Sequence, residues 1–293
     1  MERYFSNAFR GLGIVGSYLE LGRPWNGIVT GLYAIMGIVL FGSASLLNMI
    51  VIFAIFTIAY MGGAALNDIY DRKIDEINMP YRPLQEKRLE VKHVWIFSAA
   101  MYIAALALAI ILGPLITLFT VLFLIFGDVY SVPPIRLCTK SILSHFDLSF
   151  TAFLIPFYSG IVFYQNKIFL PQIDIIYFMI AFYFLFVSVF IIKDYKDVEG
   201  DRAGNKITPV LQLGPKNVRI ISMLLSTVSF SALIYALSMI KVMALWSYAL
   251  FALFLISMLY FESIVIRYPE RGFGGTRVMI LFTTLLIIFI FFG

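Results

Sequence analysis

The sequence predicts an all-α integral membrane protein with nine transmembrane helices, and three observations lead to that prediction. Hydrophobic residues make up 61% of the 293 residues and charged residues 13%, with mean hydropathy at +0.92, whereas soluble domains are about 45–50% apolar and 25% charged. Apolar runs of roughly 20 residues, enough to cross a bilayer, recur along the chain. Basic residues lie almost entirely in alternate loops. An ordinary soluble domain is therefore excluded.

The elements follow in order from the apolar runs between charges and turn residues. The predicted spans are 23–42, 46–66, 93–112, 114–131, 147–165, 173–192, 217–239, 242–261 and 275–292. Before them, residues 1–22 are less apolar, and Phe5, Phe9 and Leu12 recur at helical spacing beside two arginines. This pattern favours a helix lying in the membrane interface over a frayed tail.

The basic residues predict the orientation. Of the 22 Lys and Arg, only Lys167 and Lys241 fall on the side reached after odd-numbered helices. Because short loops rich in Lys and Arg stay in the cytoplasm, we expect a multi-pass protein of the cell membrane with its N terminus inside and its C terminus outside. The net charge of +5 reflects this topology and attraction to membrane lipids, so no nucleic-acid partner is expected. The single cysteine, Cys138, offers no internal disulfide.

An internal repeat carries two acidic motifs. Shifting the sequence by 126 residues (193 − 67) superposes NDIYDRKIDEINMPYRP, from Asn67, on KDYKDVEGDRAGNKITP, from Lys193. The coinciding pairs are Asp68 with Asp194, Asp71 with Asp197, Asp75 with Asp201 and Pro83 with Pro209. Both copies follow an even-numbered helix, so the repeat preserves orientation. We expect one membrane domain, 1–293, comprising the interfacial segment 1–22, four-helix repeats at 23–131 and 144–261, and a ninth helix at 275–292.

The spacing of each aspartate triplet places it on one face of a helix end, because positions i, i+3 and i+7 lie within roughly 60° of arc. Three like charges on one face repel unless a cation neutralises them, and Mg²⁺ takes oxygen ligands of this kind and is often shared with substrate phosphates. The predicted metal ligands are Asn67, Asp68, Asp71, Asp75, Asp194, Asp197 and Asp201, and the predicted catalytic residues among them are Asp71, Asp75, Asp197 and Asp201. A merely solvated acidic loop is disfavoured because the spacing is repeated.

The two motifs resemble those of the UbiA superfamily of intramembrane prenyltransferases. They read N-D-x-x-D-x-x-x-D followed by Arg82-Pro83, and D-x-x-D-x-E-G-D from Asp194 to Asp201. Arg23-Pro24-Trp25-Asn26 resembles the family's R-P-x-N entry to helix 1, and Tyr130 to Leu137 resembles its Y-S-x-P-P-x-R-L segment. Two departures concern loop details. Leu84-Gln85-Glu86-Lys87 replaces the common L-P-S-G, and Cys138-Thr139 moves the usual lysine to Lys140.

The resemblance implies a bundle around a central cavity open to lipid, which admits a polyprenyl chain while its diphosphate lies under the acidic loops. It implies Mg²⁺ as cofactor and no covalent enzyme intermediate. We expect Arg23, Arg136 and Lys140 to bind diphosphate oxygens, since guanidinium and ammonium groups suit that role. Asn26 and Asp128 are the candidate acceptor contacts, although Asn26 could equally make a helix-packing hydrogen bond.

The acceptor is the least determined part of the prediction. The stretch from Asp197 to Gly204 looks most like the archaeal branch that transfers from geranylgeranyl diphosphate to geranylgeranylglyceryl phosphate in ether-lipid synthesis. The alternative is an aromatic acid in quinone synthesis. A CDP-alcohol phosphotransferase is disfavoured because its D-G-x-x-A-R-type signature is missing. A divalent-cation transporter is disfavoured because its acidic residues would lie near the bilayer midplane. The sequence leaves prenyl chain length and oligomeric state open.

Overall fold

The structure, a computed structural model, describes residues 9, 11–42 and 44–292, and this part of the chain is helical, with one isolated bridge between Lys140 and Ile207. Its α-helices are α1 (Gly13–Gly22), α2 (Pro24–Phe41), α3 (Leu46–Tyr70), α4 (Arg72–Asn78), α5 (Val91–Leu112), α6 (Pro114–Ser131), α7 (Ile142–Ser149), α8 (Ile155–Gln165), α9 (Ile173–Ile191), α10 (Val198–Ala203), α11 (Pro209–Leu213), α12 (Pro215–Ile240), α13 (Leu245–Ile264) and α14 (Pro269–Phe292). A π-helical segment, Phe150–Leu154, joins α7 to α8, and 3₁₀ segments cover Leu137–Thr139 and Ile192–Lys196.

Nine segments within the described residues are long and apolar enough to cross a membrane, which confirms the predicted fold class. They are α2, α3, α5, α6, the composite Ile142–Gln165, the composite Ile173–Lys196, α12, α13 and α14. Four of them begin before their predicted starts: two, at Val91 and Pro215, by two residues and two, at Ile142 and Pro269, by five and six. Asp147 and Arg277 lie inside the fifth and ninth spans and line the cavity described below.

The N-terminal segment is described only in part. Of the residues that predicted an interfacial helix, Phe5 lies outside the described residues, whereas Leu12 immediately precedes α1. Helix α1 packs against α3, and the ring of Tyr18 stacks on that of Phe97 at 5.3 Å. Ile14 is largely exposed on its outer face. Placement of this helix in the membrane interface stays a prediction.

Local sequence signals set several helix boundaries. The Ser45 side chain accepts a hydrogen bond from Asn48 N at 3.2 Å and caps α3, and Thr208 caps α11 in the same way. Proline occupies the first position of α2, α6, α12 and α14, where its missing N–H carries no penalty. Gly113 and Gly214, with φ at 118° and 79°, form the turns before α6 and α12, since glycine tolerates such backbone angles.

Small residues allow a close helix crossing in the bundle. A Cβ on Gly37 would lie 2.0 Å from the backbone oxygen of Phe157, and one on Gly160 would lie 2.1 Å from that of Ala34. Helices α2 and α8 can therefore touch backbone to backbone. In lipid, association of helices depends on such van der Waals packing rather than on the hydrophobic effect. This contact joins the first half of the chain to the second.

Candidate active site

A cavity of about 650 Å³ lies between the two halves of the bundle, within the range typical of small-molecule sites. Its walls are largely apolar and come from helices of both halves. Six of the seven predicted metal ligands line it, three from each motif: Asn67, Asp71, Asp75, Asp194, Asp197 and Asp201. The fold thus brings two motifs that are 126 residues apart (193 − 67) into one chamber.

The first motif lies where α3 ends and α4 begins. Asp71 occupies the junction between them, and its carboxylate accepts hydrogen bonds from Arg136 Nη2 at 2.7 Å and from Lys206 Nζ at 3.0 Å. Asn67 Nδ2 donates to Asp71 Oδ2 at 3.3 Å and to Ser131 Oγ at 3.0 Å. The amide thus links the motif to the end of α6.

The second motif lies where α9 tightens into its 3₁₀ segment and α10 follows. Asp194 is buried and contacts Lys193 Nζ at 2.9 Å and His145 Nε2 at 3.0 Å. Asp197 lies 3.5 Å from Lys196 Nζ. Asn78 Oδ1, at the end of α4, accepts a hydrogen bond from Gly200 N at 2.8 Å. The two short helices α4 and α10 are therefore tied directly to each other.

Lysine and arginine side chains neutralise much of the charge that the two motifs were expected to concentrate. Lys206 bridges the motifs, with its Nζ atom 3.0 Å from Asp71 Oδ2 and 3.7 Å from Asp201 Oδ1. Arg82 forms ion pairs with Asp75 and Asp68. The carboxylates are thus held by protein cations as well as being available to a metal.

The acidities of the carboxylates outside the membrane spans differ. Burial would raise the pKa of Asp71, but Lys206 and Arg136 outweigh burial and hold that pKa below its usual range. Burial raises the pKa of Asp75 to about 6 despite Arg82. It also raises the pKa of Asp201 to about 7, against the opposing effect of Lys206. Protonation of Asp75 and Asp201 therefore competes with cation binding near neutral pH.

The residues lining the cavity fit a divalent metal such as Mg²⁺. Carboxylate and amide oxygens are the ligands that hard cations take. Asp197 Oδ1 is buried and accepts no hydrogen bond from the described residues, and Lys196 Nζ lies 3.5 Å from this same oxygen. A closer contact with a metal ion would compensate the buried carboxylate oxygen. The described residues hold no group of three or more acidic, His or Cys side chains already arranged around one point, so both motifs would have to contribute ligands together with substrate oxygens.

Four of the predicted site residues do not line the cavity. Asp68 turns away from it and pairs with Arg23 and Arg82. Arg136 lies behind Asp71 and also donates to Tyr70 O at 3.0 Å. These two residues are placed to orient the site rather than to touch a ligand in the chamber.

The other two are Lys140 and Asp128. Lys140 is exposed, and its backbone bridges to Ile207 instead. Asp128 accepts a hydrogen bond from Tyr102 OH at 2.6 Å, and it is Tyr102 whose side chain reaches the cavity wall. Neither residue lines this cavity, so their direct contacts with diphosphate and acceptor stay predictions that this geometry does not favour.

Sequence reasoning missed several cations and polar groups of the site. Lys206, Arg82, Lys193 and Arg277 line the cavity, and none was among the predicted site residues. His145, also absent from the predicted site residues, is fully buried against Asp194. A sequence signal existed for Arg277, because a charged residue inside an apolar span is usually functional.

Arg23 and Asn26 do line the cavity, and their contacts with diphosphate and acceptor stay predictions. Asn26 Nδ2 donates to Tyr60 OH at 3.0 Å, and its Oδ1 atom accepts a hydrogen bond from Arg277. Arg277 also lies over the ring of Phe273, with 5.4 Å between guanidinium carbon and ring centroid. It makes no ion pair with a carboxylate of the described residues. Asn26 therefore makes hydrogen bonds between helices and also faces the cavity.

Sequence comparison identifies relatives of this chain. A model described as the UbiA prenyltransferase family matches residues 27–291. Among curated proteins, the digeranylgeranylglyceryl phosphate synthase of Saccharolobus solfataricus is 30% identical over 216 residues, which cover 71% of this chain and 73% of that protein. The probable homogentisate phytyltransferase 2 of Oryza sativa subsp. japonica is 31% identical over 205 residues, covering 66% of this chain and 53% of that protein.

Structural comparison agrees on the fold. The structure of a UbiA homolog from Archaeoglobus fulgidus bound to GPP and Mg²⁺ superposes with a TM-score of 0.71 at 20% identity, covering 94% of this chain and 98% of that one. That protein binds its prenyl diphosphate together with a divalent metal. The shared architecture is the same bundle of membrane helices.

Proposed function

Because this chain belongs to the UbiA prenyltransferase family and is therefore a membrane-embedded prenyltransferase, we propose that it catalyses Mg²⁺-dependent transfer of a geranylgeranyl group to geranylgeranylglyceryl phosphate. The donor in this proposal is geranylgeranyl diphosphate, and the product is an ether lipid. One observation carries the proposal: oxygen ligands from both acidic motifs line a single cavity whose remaining walls are largely apolar.

The polar part of this cavity suits the diphosphate of the donor. Mg²⁺ would be held by Asn67, Asp71 and Asp75 from one motif and by Asp194, Asp197 and Asp201 from the other. When bound, it would supply a Lewis acid that neutralises charge on the departing diphosphate. The distribution of basic residues favours a cytoplasmic location for this end of the bundle, and a soluble diphosphate would be released there.

Cationic side chains complete the diphosphate site. Arg23, Lys193 and Lys206 line the cavity beside the motifs, and their N–H groups suit phosphate oxygens. Arg136 acts indirectly, because its guanidinium orients Asp71 through the 2.7 Å hydrogen bond. Asp68 acts similarly by holding Arg23 and Arg82.

The apolar part of the cavity suits the prenyl chain. Phe186, Phe190 and Leu124 are among its walls. When the bond between the allylic carbon and diphosphate oxygen breaks, the electron pair leaves with the diphosphate and the allyl group becomes cationic. Water would capture such a group, so walls that exclude water direct it to the acceptor, and aromatic faces stabilise positive charge.

Arg277 supports an acceptor that carries an anionic group. A guanidinium in a membrane span is unfavourable by roughly 2.5–3.5 kcal/mol on insertion scales, and no carboxylate of the described residues pairs with this one. Asn26 holds it toward the cavity. A phosphate on the acceptor would pair with it, and the match to an archaeal synthase for a glyceryl phosphate product favours phosphate over the carboxylate of an aromatic acid.

A test of this proposal offers the purified protein two acceptors in parallel. Radiolabelled geranylgeranyl diphosphate is supplied with Mg²⁺ and either geranylgeranylglyceryl phosphate or 4-hydroxybenzoate, and lipid products are separated and counted. We expect an ether product from the first acceptor alone. Product from 4-hydroxybenzoate alone would move the assignment to quinone synthesis and overturn the ether-lipid proposal.

A further inference from the structure

Two polar side chains in the cavity wall each have a buried oxygen that lacks a hydrogen-bond partner among the described residues. Asp147, on α7, is 8% exposed, and Thr151, in the π-helical segment, is 7% exposed. Both line the cavity. Asp147 Oδ2 and Thr151 Oγ1 are buried, and neither forms a hydrogen bond with the described residues. They lie four residues apart in a continuous helix, so they share one face.

Asp147 differs from the acidic residues of the two motifs. The motif carboxylates each lie within 4 Å of a lysine, arginine or histidine, whereas Asp147 makes no ion pair with the described residues. Tyr183, the phenol on the neighbouring α9, already donates to Phe146 O at 3.0 Å. A buried carboxyl oxygen without a hydrogen-bond partner is unfavourable, which points to a ligand group that donates a hydrogen bond to it.

The local backbone explains why Thr151 is also unsatisfied. Buried helical threonines commonly donate to the carbonyl four residues earlier, as Thr120 does to Ile116 O at 2.8 Å. The π-helical segment from Phe150 to Leu154 interrupts that pattern around Thr151. Such single-turn π segments occur frequently at functional sites. The hydroxyl is thus left to face the cavity.

We propose that Asp147 and Thr151 form the subsite for the nucleophilic hydroxyl of the acceptor, with Asp147 as the base that receives its proton. This inference rests on the proposed function and adds to it the two residues that bind and deprotonate the attacking hydroxyl of the acceptor. As the allylic C–O bond breaks and its electron pair leaves with diphosphate, the hydroxyl oxygen forms the new C–O bond to the prenyl carbon. Its proton passes to Asp147 Oδ2, and Thr151 Oγ1 hydrogen-bonds the same oxygen.

The experiment uses the full-length protein in lipid nanodiscs with two isosteric substitutions, Asp147→Asn and Thr151→Val. Asp174→Asn is the matched control, because Asp174 lies in the first turn of α9, at the opposite end of the bundle and outside the cavity, where its Oδ1 accepts a hydrogen bond from Ile175 N. Three quantities are measured: transfer from geranylgeranyl diphosphate to geranylgeranylglyceryl phosphate, the KM of each substrate, and Mg²⁺-dependent release of diphosphate without acceptor.

We expect Asp147→Asn to lower kcat by about 10²-fold or more, as is typical when a general base is lost. The KM of the donor and acceptor-free diphosphate release should stay at wild-type values. Thr151→Val should raise the KM of the acceptor about 2- to 10-fold, the equivalent of one hydrogen bond. Asp174→Asn should behave as wild type.

Three results would overturn the inference. Wild-type kcat in Asp147→Asn would mean that another group or water takes the proton. Loss of donor binding in Asp147→Asn would assign this carboxyl to the donor site instead. If the wild-type protein transfers to no hydroxyl acceptor at all, the proposed function itself fails, and this outcome is distinguished because it appears before any substitution.

Discussion

Substituting one carboxylate from each motif distinguishes two roles of these residues. Loss of a metal ligand should lower prenyl transfer, whereas loss of an ion pair with a lysine or arginine should lower stability. Asp71 is held by Arg136 and Lys206 at 2.7 and 3.0 Å, whereas Asp197 has one buried oxygen without a hydrogen bond and a lysine, Lys196, only at 3.5 Å. We therefore expect Asp71→Asn and Asp197→Asn to be equally damaging to transfer but unequal in their effect on stability.

The magnitudes follow from these contacts. A hydrogen bond to a charged group contributes about 1.5–3 kcal/mol, and Asp71 accepts two. Because the Arg136 side chain is 28% exposed and keeps its bond to a backbone carbonyl, we expect Asp71→Asn to lower the free energy of unfolding by about 3 kcal/mol. The longer contact of Asp197 is worth less than about 1 kcal/mol. Removal of an electrostatic stabiliser of the leaving group should lower kcat about 10²- to 10³-fold in both variants.

The assay pairs activity with unfolding of the detergent-solubilised protein. Transfer of radiolabelled prenyl groups gives kcat at saturating Mg²⁺, and thermal unfolding followed by tryptophan fluorescence gives relative stability. Glu199→Gln serves as the control, because Glu199 neighbours the motif but does not line the cavity. Activity above half of wild type in Asp197→Asn would refute the metal assignment, and equal stability of the two aspartate variants would refute the role of the cation pairs.

Three further predictions concern other parts of the site and bundle. Lys206→Gln should raise the KM of the donor about 10-fold, the equivalent of one lost charge-assisted contact, in steady-state transfer assays, and an unchanged value would contradict its phosphate role. Gly37→Ala should destabilise the bundle by about 1–3 kcal/mol because its Cβ would overlap a backbone oxygen, whereas Gly63→Ala, whose nearest contact would be 3.4 Å, should be neutral in thermal unfolding. Burial raises the pKa of Asp201 to about 7 and that of Asp75 to about 6. The apparent Mg²⁺ affinity should therefore rise between pH 5.5 and about 8, as these carboxyl groups lose their protons. An Mg²⁺ affinity that does not change with pH in titrations would refute this.

The fold class was predictable because transmembrane helices depend on local composition. Apolar length located all nine spans, and the largest errors were the starts of the fifth and ninth, which begin at Ile142 and Pro269 rather than at 147 and 275. The ninth begins with a turn that contains Glu270 and Arg271, which apolar length excludes. Asp147 and Arg277 lie inside helices, where a cavity, rather than lipid, faces them. Composition cannot distinguish these two environments, since the side of a helix that faces a cavity depends on packing against distant helices.

The acidic half of the site was predictable because the repeat displayed it twice at a constant spacing. Its cationic half was predictable only in part: Arg23 and Arg136 lie in recognisable motifs, whereas Lys206 and Arg82 reach the acidic residues by tertiary packing that no period in the sequence encodes. Lys140 was favoured by its position in a motif, yet the backbone turns at Arg136, with φ at 46°, and carries Lys140 to the surface. Motif position predicted residue type there, but not the direction of the side chain.

The most direct test of the central claim is the dependence of prenyl transfer on Mg²⁺ in the wild-type protein. The protein is stripped with a chelator, placed in nanodiscs, and supplied with radiolabelled geranylgeranyl diphosphate and geranylgeranylglyceryl phosphate while Mg²⁺ is titrated back. The account predicts no product without the metal and restoration of the ether product as Mg²⁺ fills the site lined by both motifs. Undiminished transfer in the stripped protein would contradict it.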